Sequence, residues 1–111
     1  MLPKEYSEFH QAIKRKIPLK RIITDPLRKV AIGADASFYR LVPQVIVDVE
    51  NEKEVRIVLQ EARKRNLPVT FRAAGTSLSG QSITDSILMR MGRGWDNWRV
   101  YNNAQLIQVQ P

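Results

Sequence analysis

The stretch that most constrains the fold is Val45-Ile46-Val47-Asp48-Val49, followed one helix length later by Val69-Thr70-Phe71-Arg72. The first run is β-branched with almost no polar interruption, the pattern of a strand covered on both faces, as in a parallel sheet. Pro43 stands before it, where the missing N–H is tolerated. Between the two runs, Asn51-Glu52-Lys53-Glu54 combines an Asn N-cap with a Glu three residues on, a variant of the capping box. Val55, Val58, Leu59 and Ala62 then recur at i, i+3, i+4 and i+7, and Arg63-Lys64-Arg65 suits the negative end of the helix dipole. Asn66 is a natural left-handed C-cap, and Pro68 bars continuation. Strand, helix and strand separated by short turns predict a βαβ unit with parallel strands and a right-handed crossover.

Around this unit the pattern predicts an α+β fold. Tyr6, Phe9, Ile13 and Ile17 mark an amphipathic helix ended by Pro18. Asp25 and Pro26 start a second, short helix with Leu27, Val30 and Ala31 facing inward and Gly33 closing it, and residues 35–40 form a loop. Ile87–Met91 reads as another strand, and Gly92-Arg93-Gly94 as a turn. Trp98–Tyr101 and Leu106–Val109 form a C-terminal strand pair joined by Asn102-Asn103, whose alternation predicts one solvated face. The expected division is a helical segment over residues 1–41 and the βαβ-centred part over 42–111.

Composition removes several functions. The 111 residues fit one domain with a modest core. No cysteine is present, which excludes disulfides, thiolate metal sites and a cysteine nucleophile within this chain, and the lone His10 cannot build a metal site. No run approaches the roughly 20 apolar residues of a membrane span, and the first ten residues have no signal-peptide pattern, so a cytoplasmic protein is expected. The net charge is +7, with nine Lys/Arg against four Asp/Glu in residues 1–41 accounting for +5 of it. Neither Lys14-Arg15-Lys16 nor Lys20-Arg21 has interleaved aromatics or a recognition helix, so a solvated helix end is expected rather than a nucleic-acid partner. A basic nucleic-acid-binding domain stays as an alternative.

The stretch with chemical content is Ala73-Ala74-Gly75-Thr76-Ser77-Leu78-Ser79-Gly80-Gln81, directly after the second strand. Small residues let backbone approach an anion closely and present successive N–H groups as a nest, with Thr76, Ser77 and Ser79 as further donors. A helix starting nearby would add its positive end. Loops at the carboxyl ends of parallel strands are also where open α/β sheets bind ligands. The P-loop and dinucleotide fingerprints are absent, since no Lys follows Lys64 and the glycines stand at 75 and 80. A tight structural turn and a stand-alone nucleotide- or anion-binding module remain open on composition alone.

Tyr39–Gln44, the capped helix after Val49 and above all Leu67–Gln81 resemble the N-terminal part of FAD-linked oxidases of the vanillyl-alcohol-oxidase (p-cresol methylhydroxylase) flavin fold. The nearest likeness is to the bacterial D-lactate dehydrogenase and glycolate oxidase flavoproteins, over roughly residues 22–111. The resemblance implies the first subdomain of a PCMH-type FAD-binding domain. It makes Ala73, Ala74, Gly75, Thr76 and Ser77 the cradle of the FAD diphosphate, with Gly80 and Gln81 completing the turn and Arg72 leading into it. Many relatives carry Gly near Ala73 or Ala74, where Ala disfavours φ > 0. Some relatives tether the flavin through a His in this loop; none is present, so the resemblance implies non-covalent FAD. It further implies a larger parent enzyme that oxidises a D-2-hydroxy acid, in the cytoplasm or at the inner face of the membrane. The substrate domain and the acid–base residues would then lie outside these 111 residues, leaving no catalytic or metal-binding residue among them and an inactive chain that binds FAD weakly and is open to self-association.

Trp95 and Trp98 are expected to pack the flank of the sheet or to be covered by the parent's remainder. Asp35 and Asp85 are expected in capping or turn roles. Tyr39 and Arg40 have no catalytic assignment.

Overall fold

Val45, Ile46, Val47 and Val49 are completely buried, because helices cover both faces of the strand they form. The computed structural model describes residues 1–111. Helices α1 (Lys4–Ile13), α2 (Pro26–Gly33) and α3 (Glu52–Lys64) accompany strands β1 (Ile22–Ile23), β2 (Val45–Val49), β3 (Val69–Arg72), β4 (Ile87–Met91), β5 (Trp98–Tyr101) and β6 (Leu106–Val109). Four strands make one sheet in the order β1-β2-β4-β3, and β5 pairs only with β6. The fold is therefore α+β, as expected, with β2, β4 and β3 mutually parallel. The two strands of the βαβ unit are not neighbours: β4 lies between them and pairs with both. Its run Ile87-Leu88-Met89 is wholly buried, like Val45-Ile46-Val47 of β2, and both strands are flanked on each edge, whereas β3 lies at the edge of the sheet.

The sheet has two unequal faces. On one, Phe9 and Ile13 of α1, Ile17 and Val58 and Ala62 of α3 pack against Val45, Val47, Val49, Ile87 and Met89. On the other, Ile23, Ile46 and Leu88 pack with Ile32 of α2. Core and sheet thus draw on both sides of residue 42. Arg21 adds a tie across them, its guanidinium donating to the Asp48 carbonyl at 3.1 Å and lying 2.7 Å from the buried Glu54 carboxylate.

Several local expectations are met in detail. Asn51 accepts from the Glu54 N–H at 2.9 Å, and the Glu54 carboxylate accepts from the Asn51 amide at 3.0 Å, so the capping pair is reciprocal. Asp25 accepts from the Arg28 N–H at 3.0 Å with Pro26 in the first turn. Asn66 has φ of 54°, the left-handed conformation expected after α3.

Others are corrected. Leu27, Val30 and Ala31 face solvent, and Leu59 is likewise exposed. α2 turns Ile32 and Gly33 inward instead, because Gly33 lies where a Cβ would come within 2.8 Å of Pro43 Cδ and 3.0 Å of the Leu41 carbonyl. Gly33 is thus needed for close approach rather than for a left-handed helix end. α1 stops at Ile13, before Pro18, and Ile17 enters the core from the following turn. The strand pair β5–β6 has no buried face at all: all eight of its residues are exposed. With nothing packed on the ribbon, alternation in its sequence cannot produce burial. The radius of gyration, 15.3 Å, exceeds the roughly 13 Å of a compact chain this long, as a projecting hairpin requires.

Candidate functional site

Because β3 and β4 are parallel, the chain must return from the carboxyl end of β3 to the start of β4, and residues 73–86 make that return without a helix. The expected helix N-terminus beside the loop is absent; turns lead directly into β4. The crossover runs on the α2 side of the sheet, against residues 32–40. Ala36 N–H donates to the Gly75 carbonyl at 3.2 Å, and Ser82 Oγ to Asp35 Oδ2 at 3.1 Å. Asp35 also accepts from the Ser37 N–H at 2.8 Å and from the Ser37 hydroxyl, so it has the turn role expected of it. These hydrogen bonds, the Ser37 hydroxyl's first, hold its carboxyl below the usual carboxylate range.

Within the loop, glycine is used where the backbone demands it. Gly75 and Gly80 have φ of 72° and 79°. A Cβ at Gly80 would also come within 3.0 Å of Tyr39 Cδ2. Ala73 and Ala74 are not among the positive-φ residues, so their methyl groups fit the path. Ser77 organises the second half. Its Oγ accepts from the Gln81 N–H at 3.2 Å and the Ser79 N–H at 3.4 Å, and its hydroxyl donates to Gln81 Oε1.

The main-chain donors of the first half are left free. No N–H from Ala73 through Leu78, nor that of Gly80, donates to another group of the chain. These residues are exposed or half-buried, so water or a ligand can reach them. Consecutive free donors, left-handed glycines and the absence of charged side chains from 73 to 81 suit an anion bound by backbone dipoles. A diphosphate fits that donor set.

Arg72 is placed differently from the rest of the expected cradle. Its side chain is buried against main-chain carbonyls, while Ala73 to Ser77 form the loop surface and Gly80 and Gln81 the turn. Beyond these, a cleft of about 560 Å³ brings Ala73 and Ala74 together with Gly92, Arg93, Gly94 and Trp95 at the carboxyl edge of the sheet. Arg93 makes no ion pair there, and Asp96 contributes the one carboxylate of the cleft. Reading Gly92-Arg93-Gly94 only as a turn missed this proximity; the signal was its position after a parallel strand, where ligands collect. Trp95 packs against the core and donates Nε1–H to the Val49 carbonyl at 2.8 Å, whereas Trp98 is exposed. Asp85 is exposed.

Comparison with known proteins places the chain in a family. The model of the family described as "FAD binding domain" matches residues 43–111. D-2-hydroxyglutarate dehydrogenase of Pseudomonas putida is 30% identical over 95 residues, which are 83% of this chain and 9% of that protein. Two solved structures of alkyldihydroxyacetonephosphate synthase share the fold with TM-scores of 0.73 and 0.72, at 19% and 18% identity. They cover 92% and 93% of this chain and 21% and 23% of theirs. The chain thus spans under a quarter of each protein it is compared with here. On the family match, the chain belongs to the FAD-binding domain family, and its cofactor is FAD.

Proposed function

We propose that this chain provides the diphosphate-binding part of an FAD-dependent oxidoreductase acting on a small D-2-hydroxy acid. The observation that carries the reading is the uninterrupted set of free N–H groups from Ala73 to Leu78. The likeness to D-2-hydroxyglutarate dehydrogenase supports the substrate class. The main chain of Ala73, Ala74, Gly75, Thr76 and Ser77 holds the diphosphate, and Gly80 and Gln81 shape the turn with Ser77. Binding by fixed dipoles in a neutral loop needs little reorganisation when the anion arrives. When bound, FAD supplies acceptance of a hydride equivalent from the hydroxy acid and passes the electrons onward. The protein's share here is orientation, and proton transfer belongs to residues of a larger parent. We read the flavin as held non-covalently by this loop, which carries no histidine; the chain's only one, His10, is on α1. The parent works in the cytoplasm or at the inner face of the membrane, a placement that cell fractionation tests.

Titration of the ¹⁵N-labelled chain with FAD and with riboflavin tests the site. Amide shifts confined to Ala73–Ser77 with FAD and absent with riboflavin are expected; identical responses, or none, overturn the diphosphate assignment. Dye reduction with D-2-hydroxyglutarate, D-lactate and glycolate by a longer protein carrying this domain tests the substrate class. The 111-residue chain alone is expected to be silent in that assay.

A further inference from the structure

Arg72 stands at the start of the loop, yet its side chain is only 6% exposed and every acceptor it reaches is a main-chain carbonyl. Nε and Nη2 donate to Ser82 O at 3.0 and 2.7 Å, Nη2 also donates to Gly33 O at 3.2 Å, and Nη1 donates to Ile32 O. Ile32 and Gly33 end α2, where carbonyls lack helical partners and the dipole is negative. One planar fork therefore joins the end of β3, the end of α2 and the exit of the loop. A lysine, with a single point charge, cannot span the three.

Two contacts complete the tie. Asp35, two residues past α2, accepts from Ser82 Oγ, and Ala36 N–H holds the Gly75 carbonyl. The loop also lies directly over the Arg72 side chain, since a Cβ at Gly75 would stand 3.3 Å from Arg72 Cδ. The start, middle and exit of the loop are thus fastened to residues 32–36, while the N–H groups from Ala73 to Leu78 keep no partner within the chain.

We infer that Arg72, backed by Asp35, is a positioning residue: it does not meet the cofactor phosphates but holds the loop in its binding shape. This deepens the diphosphate role proposed for the loop and rests on it. A loose loop would lose backbone freedom on binding and would turn its N–H groups toward its own carbonyls. The buried fork removes that freedom beforehand.

Arg72→Lys, Arg72→Gln and Ser82→Ala are compared with the native chain by ¹⁵N relaxation and by FAD titration at two salt concentrations. Both Arg72 variants are expected to lower the order parameters of residues 75–81 from about 0.85 toward 0.6 or below. Both should weaken FAD by about tenfold or more, a loss of about 1.4 kcal/mol per decade, with the salt dependence of binding unchanged. A direct phosphate contact would instead leave Arg72→Lys near native and flatten the salt dependence in Arg72→Gln, and that result overturns the inference. An ordered loop with native affinity in both variants overturns it equally. Should both variants unfold, Ser82→Ala decides: it removes only the Asp35 tie, and a native loop with native affinity there overturns the clamp. If FAD and inorganic pyrophosphate leave the native amides at 73–77 unmoved, the diphosphate role fails, and the order parameters still judge the clamp.

Discussion

The central sheet and the β5–β6 ribbon are built from similar residues and end in opposite environments. Val45-Ile46-Val47 and Leu106-Ile107 are both apolar runs with strand propensity, yet the former is wholly buried and Ile107 is 65% exposed. Trp98, Val100, Ile107 and Val109 share one face of the ribbon by register, and that face is bare. A strand becomes core only when another element covers it. α1, α2 and α3 cover the sheet, whereas a lone two-stranded ribbon is marginal in water.

The largest test of this contrast is Ile46→Ala, which leaves a cavity between β2 and α2 and should cost about 2–5 kcal/mol in denaturant unfolding. Gly33→Ala comes next. Its Cβ would press on Pro43 and the Leu41 carbonyl, so a loss of about 1–3 kcal/mol and a lower melting temperature are expected.

Ala104 has φ of 68°, following Asn102 and Asn103 at 51° and 52°. Ala104→Gly should therefore relieve about 1 kcal/mol of backbone strain. That gain should appear as slower amide exchange in β5 and β6, with global unfolding of the sheet unmoved.

Acid should separate the α2 side from β4. Asp35 is depressed chiefly by the Ser37 hydroxyl and Asp25 chiefly by the Arg28 N–H, so their stabilisation is present above the ordinary carboxylate pKa of about 4 and lost as pH falls through their lower folded values. Amide spectra below about pH 4 should lose α2 and loop signals before those of β4. Equal loss everywhere would contradict the separation.

The smallest effect expected is for Ile107→Ala, within about 0.5 kcal/mol. A loss comparable to that of Ile46→Ala would break the contrast between the two regions outright.

The capping of α3 by Asn51 and Glu54, the start of α2 at Asp25, the left-handed Asn66 and the loop from Ala73 to Gln81 were all legible in the chain, because each depends on neighbours a few residues apart. The insertion of β4 between β2 and β3, the outward turn of Leu27 and Val30, and the pairing of β1 with β2 were not. They depend on which surfaces meet across long separations, where periodicity within one element carries no information. The site divides in the same way. Small residues after a parallel strand already pointed to an anion loop, but the bonds from Arg72, which leads into it, to the carbonyls of Ile32, Gly33 and Ser82 exist only in the folded chain.

The sequence by itself determined the three helices, the five longer strands, the caps of α2 and α3 and the neutral, glycine-bearing loop, since backbone preferences and side-chain patterns act locally. Only the tertiary structure decided strand order, which apolar faces are covered and which groups fasten the loop, because burial and long-range hydrogen bonds exist only once distant segments share the same space.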